Sequence, residues 1–253
     1  MATFALIHGA GDVGWYWHLI ERELRERGHD VVAPDLPCDD DSAGLWDYAD
    51  TVAEAVGDRR ELAVVAQSAG AFTAPLVCAR VPVELLVLVA GLVPKPGEAP
   101  GEWWTNTGYE PVRGGRSGDI RETFYHDVPA ELADEALRRT RTPSDTPSEA
   151  PWPLAVWPDV PTRFLLCRRD RLLPAEFLRR VVRERLGIEP DEIDAGHCGR
   201  PQPPTRTRRT AQLLRRGTAC SVVHRPNERG IEGCAHLARL GRLRIHRIWG
   251  ETS

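Results

Sequence analysis

The sequence predicts an α/β fold, in which a mostly parallel sheet is covered by helices on both faces. Short segments rich in β-branched and other apolar residues alternate with amphipathic helical segments, as they do in a chain of β-α-β units. Two of the predicted strands, "ELAVVA" and "ELLVLVAGLV", are almost continuously apolar, which is typical of strands buried on both faces. The 253 residues suffice for one large domain with its own core.

These patterns assign the elements in chain order. The predicted strands are "TFALI", "DVVAPDL", "ELAVVA", "ELLVLVAGLV", "TRFLLC" and "DEID". Apolar residues at helical spacing predict helices in "WHLIERELRERG", from Leu45 to Val56, in "VPAELADEALRR" and in "PAEFLRRVVRERLG". We interpret Asp127 as a residue at the start of the third of these helices, not as half of a second catalytic pair with His126.

Composition excludes several classes of protein. The start "MATFALIHGAG" enters a strand at once, without the features of a signal peptide, and no apolar run has the length of a membrane span. The six cysteines have no metal-ligand spacing, so we expect free thiols. The acidic run Asp39-Asp40-Asp41 is interpreted as a solvated loop. A cytoplasmic protein without metal or membrane partner is therefore predicted; that no cofactor is needed follows from the chemistry considered below.

A serine lies between a predicted strand and a predicted helix in "VVAQSAGAF". The residues two positions before and after Ser68 are Ala66 and Gly70. Small residues are needed there because a sharp strand-to-helix turn brings these two positions close together. This is the nucleophile-elbow pattern, with Ala in place of the usual first Gly. Taken alone, the pattern also fits a serine that caps a helix.

Two polar residues follow the ends of later predicted strands. Asp170 follows "TRFLLC" and His197 follows "DEID". Each residue alone could be an ordinary loop residue. The chain order Ser68, Asp170, His197 is nevertheless that of a hydrolase catalytic triad, with each member placed after a successive strand. The three residues are therefore predicted to be catalytic.

Two backbone N–H groups are predicted to bind an oxyanion. The first strand ends in His8-Gly9-Ala10-Gly11, a glycine-containing turn that can present the N–H of Ala10. The N–H of Ala69 lies at the predicted helix start after Ser68, where backbone donors lack intrahelical partners.

On these residues the sequence resembles the α/β-hydrolases of the serine esterase group that also contains the plant methylesterases and hydroxynitrile lyases. The similar segments are "FALIHGAGDVGWYWHLIERELRERGHDVVAPDL", "VVAQSAGAF" and "PTRFLLCRRDRLLPAEFLRRVVRERLGIEPDEIDAGH", which cover most of residues 3–198. The resemblance implies eight mainly parallel strands, a small lid after the sixth, and the roles given above for the triad and the oxyanion donors.

The resemblance also implies acyl transfer through an acyl-enzyme, with a small-molecule ester as substrate. The lyase branch places a lysine directly after the catalytic histidine. Here that position is Cys198, and the only lysine of the chain is Lys95. Lyase activity is therefore disfavoured.

Residues 94–161 form the predicted lid, which is rich in aromatic residues. Such a lid over a serine favours apolar or aromatic substrates. The residues predicted to contact substrate are Gly9, Trp103, Trp104 and Tyr125. The alternative is that the rings only pack the lid against the core.

Residues 199–253 do not resemble the end of such a domain. Residues 200–253 carry twelve Arg and three Glu out of 33 basic and 37 acidic residues in the chain, which leaves 21 basic and 34 acidic in residues 1–199. Residues 199–212 can be encoded by codons that, read one base forward, spell Ala-Ala-Leu-Ser-Arg-Pro-Arg-Glu-Leu-Ala-Glu-Arg-Leu, an amphipathic ending. The middle base of each shifted codon is a wobble position of the original codon, which the amino-acid sequence does not fix. We expect a poorly packed, frameshifted tail rather than a nucleic-acid-binding arm.

The sequence thus predicts a hydrolase core at residues 1–198 with an atypical tail. Two functions of different classes stay open at this point. One is a serine esterase. The other is a non-catalytic binding protein with the hydrolase fold, or a nucleic-acid-associated one that uses the basic tail. The presence of all three triad residues favours the esterase, because binding alone does not require them.

Overall fold

The fold is built on one parallel sheet. The computed structural model describes residues 1–110 and 119–199. Within these residues six strands are ordered β2-β1-β3-β4-β5-β6, and every neighbouring pair is parallel. Their bounds are β1 Thr3–Ile7, β2 Asp30–Val32, β3 Leu62–Gln67, β4 Leu85–Val89, β5 Thr162–Cys167 and β6 Asp191–Ile193.

Helices connect the strands. Their bounds are α1 His18–Glu26, α2 Leu45–Val56, α3 Ala74–Val77, α4 Trp103–Asn106, α5 Ile120–Phe124, α6 Ala130–Arg139, α7 Thr146–Glu149 and α8 Ala175–Leu186. Three short 3₁₀ helices span Gly14–Trp17, Ser68–Phe72 and Pro100–Glu102. None of the helices within the described residues is long and apolar enough to cross a membrane.

The two faces of the sheet bury alternate residues of each strand. One face supplies Ala5 and Ile7 of β1 to the main core, where α2, α3 and α8 pack their apolar sides. Phe4 and Leu6 are also buried but lie outside that cluster, because successive side chains of a strand point to opposite faces. The sheet is thus buried on both faces, which explains its continuous apolar sequence.

All six strand patterns of the sequence correspond to observed strands. The eight strands implied by the family resemblance are not found, since the described residues form six. The second strand is also shorter than predicted and ends at Val32. Its continuation contains Pro34, which has no N–H for a ladder, and the N–H of Leu36 donates to the His8 ring instead (3.0 Å).

The lid lies between β4 and β5 and contains α4 to α7. Two fully buried tryptophans attach it to the core. Trp103 Nε1 donates to Val93 O, and Trp152 Nε1 donates to Phe72 O, both at 2.9 Å. Residues 111–118 of the predicted lid and residues 200–253 of the predicted tail lie outside the described residues.

Candidate active site

Ser68 occupies a tight turn at the carboxyl end of β3. Its φ is +51°, a conformation that costs free energy for a residue with a side chain and is typical of functional turns. A Cβ on Gly70 would lie 2.6 Å from His8 O, and Ala66 has no exposed surface. The small residues in the sequence are therefore required by the close approach of β1 to this turn.

His197 lies between Ser68 and Asp170. Its Nε2 is 3.1 Å from Ser68 Oγ, and its Nδ1 is 2.7 Å from Asp170 Oδ2. An ionised carboxylate only accepts hydrogen bonds, so Nδ1 carries the proton and donates to Asp170. Nε2 is then left with a lone pair that can accept the Ser68 hydroxyl proton. The structure thus brings together the three residues predicted to form the triad.

Asp170 is held by the loop that follows β5. Its Oδ1 accepts the backbone N–H groups of Leu172 (2.8 Å) and Leu173 (2.9 Å). The side chains of Asp170 and His197 are buried, at 0% and 1% exposure. Because Oδ1 is engaged by two donors, Oδ2 is oriented toward the imidazole.

The turn after β1 passes directly beside the serine. A Cβ on Gly9 would lie 3.2 Å from Ser68 Cβ and 2.5 Å from Gln67 Oε1, so a larger residue there would require the Gln67 side chain to move. Ala10 follows it and is exposed. Ala69 is the second residue of the 3₁₀ helix Ser68–Phe72, where the backbone N–H has no intrahelical acceptor. Both predicted oxyanion donors therefore lie in segments that border Ser68.

His8 stabilises this turn from within. Its ring is 1% exposed, and burial lowers its pKa to about 4. The neutral ring accepts the N–H of Leu36 at Nε2 (3.0 Å), so Nδ1 carries the proton and donates to Gly9 O (2.8 Å). His8 is thus a structural residue of the turn and contributes no charge at neutral pH.

The four residues predicted to contact substrate fall into two groups. Gly9 adjoins Ser68, and Tyr125 belongs to a small cluster that also contains Cys198, next to His197. Trp103 lies in the main core, and Trp104 packs edge-on against it with ring centroids 5.1 Å apart. For the two tryptophans the observed contacts favour the alternative that they hold the lid to the core.

Sequence reasoning missed several residues around the histidine. The ring of Phe124 lies edge-on to His197, with ring centroids 5.3 Å apart. Gln67 Nε2 donates to His197 O (3.3 Å). Burial raises the pKa of Asp12 to about 6, while the charge of His197 acts in the opposite direction. Phe124 is one of the aromatic residues of the predicted lid, although its contact with His197 was not predicted, and nothing local in the sequence indicates the contacts of Gln67 or Asp12.

The interpretation of Asp127 as a helix-start residue is wrong. Helix α6 begins at Ala130 and its N-cap is Pro129, without a side-chain cap. The carboxylate of Asp127 instead accepts the N–H of Gly196 at 2.7 Å. A contact between residues 69 positions apart has no local sequence signal, and this is why the helix pattern misled.

Comparison with known proteins assigns the chain to a family. The model of the "Alpha/beta hydrolase family" matches residues 4–210. The chain belongs to the alpha/beta hydrolase family. This confirms the fold family that the sequence resembles. The comparison with curated proteins finds no match for this hydrolase.

Solved structures of similar fold include a polyneuridine aldehyde esterase, at TM-score 0.64 and 16% identity, over 78% of this chain and 92% of that one. A pyrethroid hydrolase from Sphingobium faniae JZ-2 has a TM-score of 0.65 and 22% identity, over 78% and 90% of the two chains. A methylesterase from Arabidopsis has a TM-score of 0.59 and 17% identity, over 78% and 92%. At these identities the likeness shows the fold.

Proposed function

We propose that this hydrolase is a serine esterase that cleaves a small carboxylic ester through an acyl-enzyme. One observation carries the proposal: the imidazole of His197 lies within hydrogen-bond distance of both Ser68 Oγ (3.1 Å) and Asp170 Oδ2 (2.7 Å). A serine that only caps a helix needs no histidine, and a histidine that only packs in a core needs no buried carboxylate. A binding protein would need none of this arrangement.

The reaction follows from the proton positions. His197 Nε2 takes the hydroxyl proton as Ser68 Oγ attacks the ester carbonyl carbon, and Asp170 stabilises the resulting imidazolium. The imidazolium then gives its proton to the leaving alcohol as the C–O bond breaks. A water molecule, deprotonated by the same imidazole, hydrolyses the acyl-enzyme and regenerates Ser68. The proton is returned at each stage, so the cycle needs no cofactor.

The oxyanion of the tetrahedral intermediate would be bound by the N–H groups of Ala10 and Ala69. The position of Gly9 against Ser68 supports this, because the turn after β1 borders the serine so closely that a Cβ on Gly9 would lie 3.2 Å from Ser68 Cβ. One donor of this kind contributes about 10²–10³-fold to kcat in other serine hydrolases.

An apolar or aromatic ester is the proposed substrate class. The support is the small cluster beside His197, in which Trp15, Phe124 and Tyr125 lie close together. The similar structures include a polyneuridine aldehyde esterase, a pyrethroid hydrolase and a methylesterase. The names of these proteins are consistent with ester hydrolysis by this fold. The cytoplasmic location stays a prediction from the sequence.

A serine-reactive phosphonate tests the proposal. We expect covalent modification at Ser68 alone, located by peptide mass spectrometry, and loss of p-nitrophenyl ester hydrolysis in Ser68→Ala. Ser42→Ala is a matched control, since Ser42 lies in an exposed loop and should leave both results unchanged. Hydrolysis that persists in Ser68→Ala, or labelling of another serine, would show that the proposed mechanism is wrong.

A further inference from the structure

A buried carboxylate of the lid contacts the loop that carries the catalytic histidine. Asp127 lies between α5 and α6, and its side chain is 6% exposed. Its Oδ2 accepts the backbone N–H of Gly196 (2.7 Å), the residue directly before His197, and also pairs with Arg169 Nη2 (3.2 Å). The carboxylate therefore reaches the histidine loop from a segment 69 positions away.

The histidine loop is shaped around this carboxylate. A Cβ on Gly196 would lie 2.6 Å from Asp127 Oδ1, and a Cβ on Gly199 would also clash with the carboxylate. The N–H of Gly199 donates to Gly196 O (3.3 Å), which closes a turn over residues 196–199. The two glycines that flank His197 and Cys198 are thus explained by the close approach of Asp127.

The same lid segment also contacts the loop of the triad carboxylate. The ring nitrogen Nε2 of His126 lies 2.9 Å from Arg169 O, and because a carbonyl oxygen only accepts, His126 is the donor. Arg169 directly precedes Asp170, and its N–H donates to Ala195 O (2.9 Å). His126 and Asp127 therefore bind the residues immediately before Asp170 and before His197.

The lid also contacts the residue after His197 and the imidazole itself. Phe124 O accepts the N–H of Cys198 (3.2 Å), and the Phe124 ring packs edge-on against His197. Strand β6, which precedes the histidine loop, has only three residues and pairs only with β5 among the described strands. Because the strand is so short, the position of the imidazole depends also on contacts from outside the sheet, among them these contacts from the lid.

We propose that Asp127 is a positioning residue for catalysis: by accepting the Gly196 N–H it fixes His197 at the distance from Ser68 that proton transfer requires. This inference rests on the proposed esterase function. A displacement of about 1 Å in a catalytic group can lower the rate about 100-fold. Removing the acceptor should therefore lower kcat by about 10- to 100-fold, with KM nearly unchanged.

Two substitutions separate positioning from general support of the lid. In Asp127→Ala the Gly196 N–H loses its acceptor, whereas in Asp127→Asn the amide oxygen can still accept it. We expect Asp127→Asn to keep kcat within about threefold of the parent and Asp127→Ala to lose about 10- to 100-fold. Asp134→Ala and Asp134→Asn are the matched controls, because Asp134 lies on the same lid but is 48% exposed and pairs with Arg121.

Each variant is measured in three ways: kcat and KM with a p-nitrophenyl ester, the rate of phosphonate labelling of Ser68, and the downfield NMR resonance of the His197 Nδ1–H that donates to Asp170. That resonance is identified by its loss in His197→Gln and does not require activity. We expect it to shift or broaden in Asp127→Ala and to persist in Asp127→Asn. If Asp127→Ala does not fold, Asp127→Ser replaces it, since the hydroxyl is too short to reach Gly196.

The outcomes distinguish this proposal from the esterase assignment. A parent protein that neither reacts with phosphonate nor hydrolyses esters contradicts the esterase function, and the resonance then decides the role of Asp127 alone. An unchanged resonance, or an unchanged kcat, in a folded Asp127→Ala or Asp127→Ser variant overturns the positioning role. An Asp127→Asn variant as slow as Asp127→Ala also overturns it, because acceptance of the Gly196 N–H would not be what matters.

Discussion

Replacement of Asp170 by asparagine should abolish most of the activity, although it changes only one acceptor oxygen of the side chain into a donor NH₂ group. Oδ1 of Asp170 accepts the N–H groups of Leu172 and Leu173, and Oδ2 accepts the Nδ1–H of His197. Asparagine has a single oxygen, so it cannot satisfy both sides. The oxygen will occupy the Oδ1 position, because the opposite orientation would leave two backbone donors facing an NH₂ group, at a cost of about 1–3 kcal/mol for each buried donor.

The amide NH₂ then faces His197 Nδ1 and requires that nitrogen to act as an acceptor. The imidazole proton must move to Nε2, which lies 3.1 Å from Ser68 Oγ and can no longer take the hydroxyl proton. In other Ser-His-Asp enzymes this change of tautomer lowers kcat about 10⁴-fold, which corresponds to about 5.5 kcal/mol in the activation free energy. Because the side chain of Asp170 has no exposed surface with which to contact a ligand, KM should change little.

Steady-state hydrolysis of a p-nitrophenyl ester measures both constants for Asp170→Asn. Asp58→Asn is the matched control, since Asp58 is an exposed loop carboxylate and its variant should be indistinguishable from the parent. Chemical denaturation checks that the Asp170→Asn protein is folded. The rate of phosphonate labelling at Ser68 should fall in parallel with kcat, because both reactions need the imidazole as base.

Near-normal turnover by a folded Asp170→Asn variant would refute the reasoning. It would mean that the carboxylate does not select the tautomer of His197, and another acidic residue would have to be sought. A large rise in KM with unchanged kcat would equally contradict it, since it would indicate a role in binding the substrate.

Two further predictions concern stability and the tail. Burial lowers the pKa of His8 from 6.5 to about 4. As the pH falls, the His8 ring therefore binds a proton in the unfolded state before it does so in the folded state. The free energy of unfolding should for this reason decrease by about 3 kcal/mol between pH 7 and pH 4. Urea unfolding of His8→Gln should show a weaker pH dependence over this range, and an equal dependence would refute the shift. A chain in which the shifted-frame ending replaces residues 199–253 should melt higher and turn over faster than the parent, and no gain in either would contradict the proposed frameshift.

The sequence predicted what local patterns determine. Each of the six strand patterns became a strand, and helix α8 runs from Ala175 to Leu186 between Pro174 and a left-handed Gly187, as its pattern predicts. The proximity of Ser68, Asp170 and His197 could also be anticipated, because parallel strands deliver the residues after their carboxyl ends to one edge of the sheet. The sharp turn at Ser68 could be predicted from its small neighbours, although the backbone that Gly70 approaches, at His8, belongs to a distant segment.

What the sequence could not predict depends on contacts between distant segments. Asp127 stands before a helix, and its local surroundings match a helix start, yet its partners are Arg169 and Gly196. Trp103 and Tyr125 are both lid aromatics, and nothing local separates the ring that is buried in the main core from the one that lies beside the histidine loop. The patterns of the chain itself predict six strands, and the described residues form six; the eight strands implied by the resemblance have no such local pattern behind them and are not confirmed.

The geometry of the site therefore has two sources. The sheet places Ser68 at the end of the central strand β3, which pairs with its neighbours along most of its length. His197 follows the short strand β6, the last strand of the sheet that the described residues form, and its loop is held by Gln67, Phe124 and Asp127. Two of these three belong to the lid, so substitutions in residues 124–127 should alter kcat as well as substrate choice. The segment between β4 and β5 thus supports the loop that carries His197 through direct contacts on both sides of that residue in the chain, at Gly196 and at Cys198.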